Sequence, residues 1–218
     1  YNPIDEVIRD NEKPLSVDEF KSAVKEGAII LDTRKADDFE KGFLPGSINI
    51  GLNGQFAVWV GTQIDINKDI VLVTDPGKEA ETILRLARVG YENVLGYLKG
   101  GANAWPEKLE TVKSITAEQM PAEMKDGLEV LDVRKHGEWN ISHLKDAKFT
   151  PLSEFPTAIE KLDKNKPYIV HCGGGYRSMT AISIMKNHGF KNLINVYGGF
   201  GAMQNAGLDI VIPEVAEV

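Results

Sequence analysis

The sequence predicts an α/β protein built from two tandem domains, each a small parallel sheet with helices on both faces. Two observations carry this prediction. Signals recur at a constant offset of 100: Ser16-Val17-Asp18-Glu19 with Thr116-Ala117-Glu118-Gln119, Gly27 with Gly127, Leu31-Asp32-Thr33-Arg34 with Leu131-Asp132-Val133-Arg134, and Lys35 with Lys135. That period exceeds the roughly 20–50 residues of a solenoid repeat, so it marks a duplicated domain. Within each copy, short apolar runs alternate with stretches of helical spacing, the pattern that covers a parallel sheet with helices. The 218 residues suffice for two such cores. The polar stretch from Pro106 to Ser114 holds the boundary, giving domains 1–110 and 111–218.

Taken in order, Ser16 and Glu19 form a capping box that opens a short helix before Phe20, and Thr116 and Gln119 repeat it before Met120. Past the Asp-x-Arg strand ends the copies drift but stay alignable. Ile70-Val71-Leu72-Val73 matches Tyr168-Ile169-Val170 as a buried strand, and Gly90-Tyr91 matches Gly189-Phe190. A further strand then leads to a glycine pair in each copy: Asn93 to Tyr97 before Gly100-Gly101, and Asn192 to Tyr197 before Gly198-Gly199. The first copy alone carries Gln55-Phe56-Ala57-Val58-Trp59-Val60-Gly61. A short acidic tail follows Pro213.

Composition narrows the function. A net charge of −7 removes the basic footprint of a general nucleic-acid binder. No apolar run is long enough to span a bilayer, and no basic-then-apolar signal segment opens the chain. One cysteine precludes an internal disulfide, and a reducing, cytoplasmic setting is expected. The chain opens at Tyr1 rather than at a methionine, which suggests a piece of something longer.

That cysteine lies in Tyr168-Ile169-Val170-His171-Cys172-Gly173-Gly174-Gly175-Tyr176-Arg177-Ser178, between a strand and the helical spacing of Met179, Ala181, Ile182, Ile184 and Met185. Three glycines let the backbone curl with its N–H groups inward, a nest for an anion or thiolate, and the next helix adds the positive end of its dipole. Cys172 is therefore expected to be a reactive nucleophile. A free cysteine can also serve as a small buried hydrophobe, but three glycines and an arginine directly after it weigh against mere packing. The backbone N–H groups of Gly173, Gly174, Gly175, Tyr176 and Arg177 are expected to cradle the transferred group, with Arg177 holding an anionic donor or acceptor through its forked hydrogen bonds.

Asp132 and Arg134 are expected to form a structural pair rather than a catalytic one, because Asp32 and Arg34 persist in the copy that has Asp75 in place of the cysteine. Asp75-Pro76-Gly77 reads as turn chemistry, and the interval from Asp75 to Gly90 is two residues shorter than its counterpart. His171 adjoins Cys172 in a strand and so points to the opposite face. His136, His143 and His188 make no metal-ligand spacing with a cysteine or with each other, so neither a metal nor another cofactor is expected.

The succession of Asp-x-Arg, strand-loop-helix and Gly-Gly resembles the rhodanese homology domain in both halves, most specifically in Cys172-Gly173-Gly174-Gly175-Tyr176-Arg177, which resembles the active-site loop of single-domain rhodaneses. The resemblance implies a sulfurtransferase: the cysteine takes a sulfane sulfur from a small donor, carries it as a persulfide and passes it to a thiol acceptor. It also implies that the first domain, with Asp75, is inactive. Related phosphatases on the same scaffold have one more residue between cysteine and arginine, so the loop favours sulfur over phosphorus. A loop with one arginine suits a low-molecular-weight persulfide, with thiosulfate remaining open. The tandem arrangement and the Phe56–Trp59 insert resemble fusions that carry a metallo-β-lactamase-fold domain ahead of the rhodanese region, such as persulfide dioxygenase fusions. Phe56 and Trp59 then face that upstream partner or fill the first domain's own core. The alternative to an enzyme is a non-catalytic docking or regulatory module.

Overall fold

In the computed structural model, which describes residues 3–214, two compact units meet between Thr111 and Val112. The acidic tail beyond Glu214 lies outside the described residues. In the first unit the strands β1 (Pro14–Leu15), β2 (Ile29–Asp32), β3 (Ile48–Asn49), β4 (Ile70–Val73) and β5 (Val94–Leu98) form a parallel sheet in the order β1-β5-β4-β2-β3. Its helices are α1 (Ile4–Asn11), α2 (Val17–Lys25), α3 (Ala36–Phe39), α4 (Phe56–Gln63) and α5 (Glu79–Ala87). The second unit contains β6 (Lys113–Ile115), β7 (Glu129–Asp132), β8 (His143–Leu144), β9 (Lys148–Phe149), β10 (Tyr168–His171), β11 (Leu193–Val196) and β12 (Ile210–Val211). The order β6-β11-β10-β7-β9 repeats that of the first sheet, again all parallel. Helices α6 (Met120–Lys125), α7 (His136–Ile141), α8 (Phe155–Ala158), α9 (Tyr176–Asn187) and α10 (Gly199–Asn205) accompany it.

The repeat is physical as well as sequential. Residues at matching positions fill matching cores: Ile30, Leu44 and Val71 in the first unit, Val130, Leu144 and Ile169 in the second. The central strands β4 and β10 are buried at every position, which explains their continuous apolar runs: both faces of a parallel sheet are covered. The two capping boxes differ in outcome. Ser16 and Glu19 exchange hydrogen bonds of 3.1 Å and start α2 directly. The Thr116 box opens a 3₁₀ turn over Ala117–Gln119, and α6 begins at Met120 with Pro121 in its first turn, where the missing N–H costs nothing.

The insert forms α4, and both Phe56 and Trp59 are buried in the first unit. Of the two placements the sequence left open, the core is the one observed. Each unit also has a short antiparallel closure that the sequence did not reveal: a Phe43–Glu110 bridge in the first and the β8–β12 pair in the second. Segments of one or two residues carry no periodicity to read.

Candidate active site

Strand β10 ends at His171 and α9 starts at Tyr176, so Cys172 to Gly175 make the turn at the carboxyl edge of the sheet, where open α/β sheets bind ligands. Gly175 caps α9 at φ 114°, a left-handed conformation that a side chain would strain. Its N–H donates to Cys172 Sγ at 3.1 Å. Sγ is also 3.5 Å from Ser178 Oγ. The Ser178 hydroxyl donates to Asn195 Oδ1 at 2.8 Å, and Asn195 Nδ2 donates to Ser114 Oγ at 3.1 Å. A buried polar chain thus runs from the cysteine across β11 to β6. Cys172 itself is 1% exposed, Gly173, Gly175 and Tyr176 are half-buried, and Gly174 is exposed.

The glycine pair before α10 has a specific task. Phe200 N–H donates to the Cys172 carbonyl at 2.8 Å and Gly201 N–H to that of Gly173 at 3.4 Å. Gly199, at φ 53°, permits this approach, since a Cβ there would sit 2.5 Å from the Cys172 carbonyl oxygen. The start of α10 therefore fixes the carbonyls of Cys172 and Gly173.

Arg177 is held by Glu138 of α7, through Nη1 to Oε2 at 2.6 Å and Nη2 to Oε1 at 2.8 Å. The guanidinium lies against Gly173: a Cβ on Gly173 would meet Nη2 at 2.9 Å. Glu138 also accepts from Lys135 N–H at 3.0 Å. Its bonds to Arg177, against some opposing burial and helped by Lys135, hold the carboxyl at about 2, and Glu138 in turn pushes the Arg177 guanidinium further up. This corrects one expectation: the fork assigned to an anionic sulfur compound is engaged by a carboxylate of the same unit.

Asp132 and Arg134 form a buried clamp. The Arg134 backbone N–H and Nε each donate to Asp132 Oδ1 at 3.0 Å, Nη2 donates to Oδ2 at 2.8 Å, and Nη2 also reaches the Ser142 carbonyl at 2.8 Å. Asp32 and Arg34 repeat it with Gly42 as the carbonyl. Burial pushes the Asp32 carboxyl up, opposed by Arg34. His171 is fully buried at the end of β10, with Nδ1 3.1 Å from the Cys172 carbonyl oxygen and Nε2 without a hydrogen-bond partner. Burial pushes its pKa down, which keeps the ring neutral. His136 pairs with Glu154, His143 stacks on Trp139, and His188 contacts the Ile184 carbonyl. Among the described residues no cluster of three or more His, Cys, Asp or Glu side chains could hold a metal, and no helix is long and apolar enough to cross a membrane.

Glu138, Ser178, Asn195 and Ser114 escaped the sequence reading. Asn195 left a signal, a lone amide inside the apolar run Leu193-Ile194-Asn195-Val196. Glu138 left none, because its partner lies 39 residues away.

The family model for the rhodanese-like domain matches residues 16–108 and 116–206. A sulfurtransferase from Allochromatium vinosum is 29% identical over 105 residues, 47% of this chain and 98% of that protein. The tRNA uridine(34) hydroxylase of Hamiltonella defensa is 37% identical over 75 residues, 32% of this chain, so the chain spans only 21% of that relative's length. A rhodanese-related protein from Thermoplasma volcanium, solved by crystallography, is 29% identical with a TM-score of 0.43, covering 46% of this chain and 99% of that one. With both units matched, the chain belongs to the rhodanese-like family.

Proposed function

We propose that the chain is a sulfurtransferase that works by double displacement through a Cys172 persulfide. The observation that carries the reading is the Gly175 N–H aimed at Cys172 Sγ, 3.1 Å away, at the amino end of α9. Donors fixed in advance stabilise charge on sulfur without reorganising when it arrives. In the first half-reaction the Cys172 thiolate attacks the outer sulfur of the donor. An S–S bond forms at Sγ, the donor's own S–S bond breaks, and a thiolate or sulfite leaves with the electron pair. In the second, an acceptor thiolate attacks the outer persulfide sulfur and Cys172 leaves as thiolate. No cofactor enters the balance. The amides of Gly173, Gly174, Gly175, Tyr176 and Arg177 form the cradle, Ser178 supports Sγ from behind, and Arg177 shapes the mouth.

The charge of that mouth bears on the donor. The ionised Glu138 offsets Arg177, so the loop lacks the surplus positive charge that a thiosulfate dianion wants, and a low-molecular-weight persulfide is the preferred donor. The first unit has Asp75 where a persulfide would form, and a carboxylate cannot carry one; it is the non-catalytic copy. An upstream metallo-β-lactamase-fold partner would have to dock elsewhere than on Phe56 and Trp59, which are buried.

The test is to treat the chain and its Cys172→Ser variant with glutathione persulfide and with thiosulfate and to read intact masses. The expected result is one cyanide-removable sulfur on the native chain alone, faster from the persulfide. Absence of the adduct with both donors would overturn the enzymatic reading in favour of a docking module.

A further inference from the structure

The duplication separates what the fold needs from what the cysteine needs. The Asp-Arg clamp occurs in both units, as Asp32 with Arg34 and as Asp132 with Arg134. The polar chain behind Cys172 occurs only beside the cysteine. Strand register matches Asn195 with Tyr97: Asn195 pairs with Val170 and Ser114, Tyr97 with Leu72 and Pro14, and Val170 and Leu72 in turn pair with the matched Leu131 and Leu31. Ser114 therefore falls on Pro14, and counting back from Gly189 and Gly90 places Ser178 on Glu79. A proline side chain has no donor or acceptor with which to continue the chain. The same strand order forms in the first unit without Ser114, Ser178 and Asn195. Yet Asn195 puts a 4% exposed amide into a strand buried throughout, a placement that destabilises the fold unless hydrogen bonds offset it.

Ser178 has one hydroxyl proton to give and lone pairs with which to accept. The 2.8 Å contact with Asn195 Oδ1 commits that proton to the amide, the Gly175 carbonyl being farther at 3.2 Å. Asn195 Nδ2, donating to Ser114 Oγ at 3.1 Å, fixes which end of the amide faces Ser178. Ser178 is left with a lone pair toward Sγ, 3.5 Å away, where it accepts from the thiol. Two contacts at Sγ then oppose each other: the Gly175 N–H at 3.1 Å favours the thiolate, and an oxygen that only accepts favours the thiol. To donate to a thiolate, the Ser178 hydroxyl must turn away from Asn195 and leave Oδ1 without its donor.

We infer that Asn195 is a positioning residue: by fixing the direction of the Ser178 hydroxyl it sets the pH at which Cys172 becomes a thiolate. The inference deepens the sulfurtransferase reading, on which its catalytic meaning rests. The charged groups around the loop are otherwise engaged. Arg177 of α9 faces Glu138 of α7, Asp132 at the end of β7 is clamped by Arg134, and Lys113 of β6 pairs with Glu123. His171 at the end of β10 is kept neutral by burial, and α10 and β11 carry no ionisable side chain.

The test titrates the full chain, with no sulfur donor present, and follows the ultraviolet absorbance of the thiolate. Cys172 is the single cysteine, and the Cys172→Ser chain supplies the background. Asn195→Leu is expected to lower the midpoint by about one pH unit, about tenfold in the thiolate-to-thiol ratio, because the freed hydroxyl turns to Sγ. Ser114→Ala, a milder change that loosens the amide, moves the midpoint the same way by less. In a Ser178→Ala background neither substitution moves it, since Asn195 acts only through that hydroxyl. A midpoint unmoved or raised by Asn195→Leu, or an equal shift with Ser178 removed, would overturn the inference. Should Asn195→Leu not fold, Ser114→Ala and its double variant with Ser178→Ala decide in the same way. Sulfur loading is measured separately. A native chain that takes no sulfur while the midpoints move as stated removes the sulfurtransferase reading and leaves the role of Asn195 standing.

Discussion

The Arg177–Glu138 pair sets the electrostatics of the loop mouth, and its contribution depends on pH in a defined direction. The Glu138 carboxyl, held at about 2, lies below its ordinary 4.5. The pair therefore stabilises the folded state fully above about 4.5 and loses that contribution as pH falls toward 2. With the Glu138 side chain 36% exposed, solvent screening reduces the pair to about 1 kcal/mol. Glu138→Gln is expected to lower urea-unfolding stability by that amount at pH 7 and by nothing near pH 2, and to raise the thiosulfate rate relative to the persulfide rate by freeing Arg177. His171 acts in the same sense at higher pH. Burial keeps it neutral when folded, whereas the unfolded chain binds a proton below about 6.5, so stability drops as pH falls through that value. Behind the cysteine, Ser178 accepts from the Cys172 thiol and donates to Asn195, so Ser178→Ala is expected to cost about 1 kcal/mol of stability in a denaturant titration.

Elements, rather than side chains, hold the loop open. The α10 amides grip the Cys172 and Gly173 carbonyls only because Gly199 has no Cβ and accepts φ 53°. Gly199→Ala is expected to cost about 2 kcal/mol or more and to abolish rapid sulfur loading, since the loop must move to relieve the clash. Gly174→Ala is the control: a Cβ there meets nothing within 4 Å, and thermal unfolding should hold its midpoint. Asn195 couples β11 to both Ser178 and Ser114. Asn195→Leu removes the acceptor of the buried Ser178 hydroxyl and a donor to half-buried Ser114, and is expected to destabilise the second unit by about 1–3 kcal/mol in a denaturant titration.

At the scale of the whole molecule, the duplication gives two copies of one buried clamp, so the same mutation can be made in either unit. Removing one partner of such a pair leaves an uncompensated buried charge, at a cost of about 3–5 kcal/mol. Asp132→Ala should speed amide hydrogen exchange in β7 and β10, and Asp32→Ala in β2 and β4, because each clamp ends a paired strand and each unit buries its own core.

The sequence alone determined the duplication, the parallel α/β class and the strand-to-helix turn around Cys172. Those features rest on local periodicity, on glycine's conformational freedom and on an offset repeated over Asp32, Arg34, Asp132 and Arg134, all of which are written in neighbouring residues. Tertiary structure decided the rest. Arg177 faces Glu138, Ser178 meets Asn195, and α10 holds the loop carbonyls, because parallel crossovers bring segments distant in the chain to one edge of the sheet. It also decided that Phe56 and Trp59 pack inward and that Thr33 keeps a buried hydroxyl where Val133 has none. Such pairings follow from the path of the chain through space, and no local pattern in the residues encodes them.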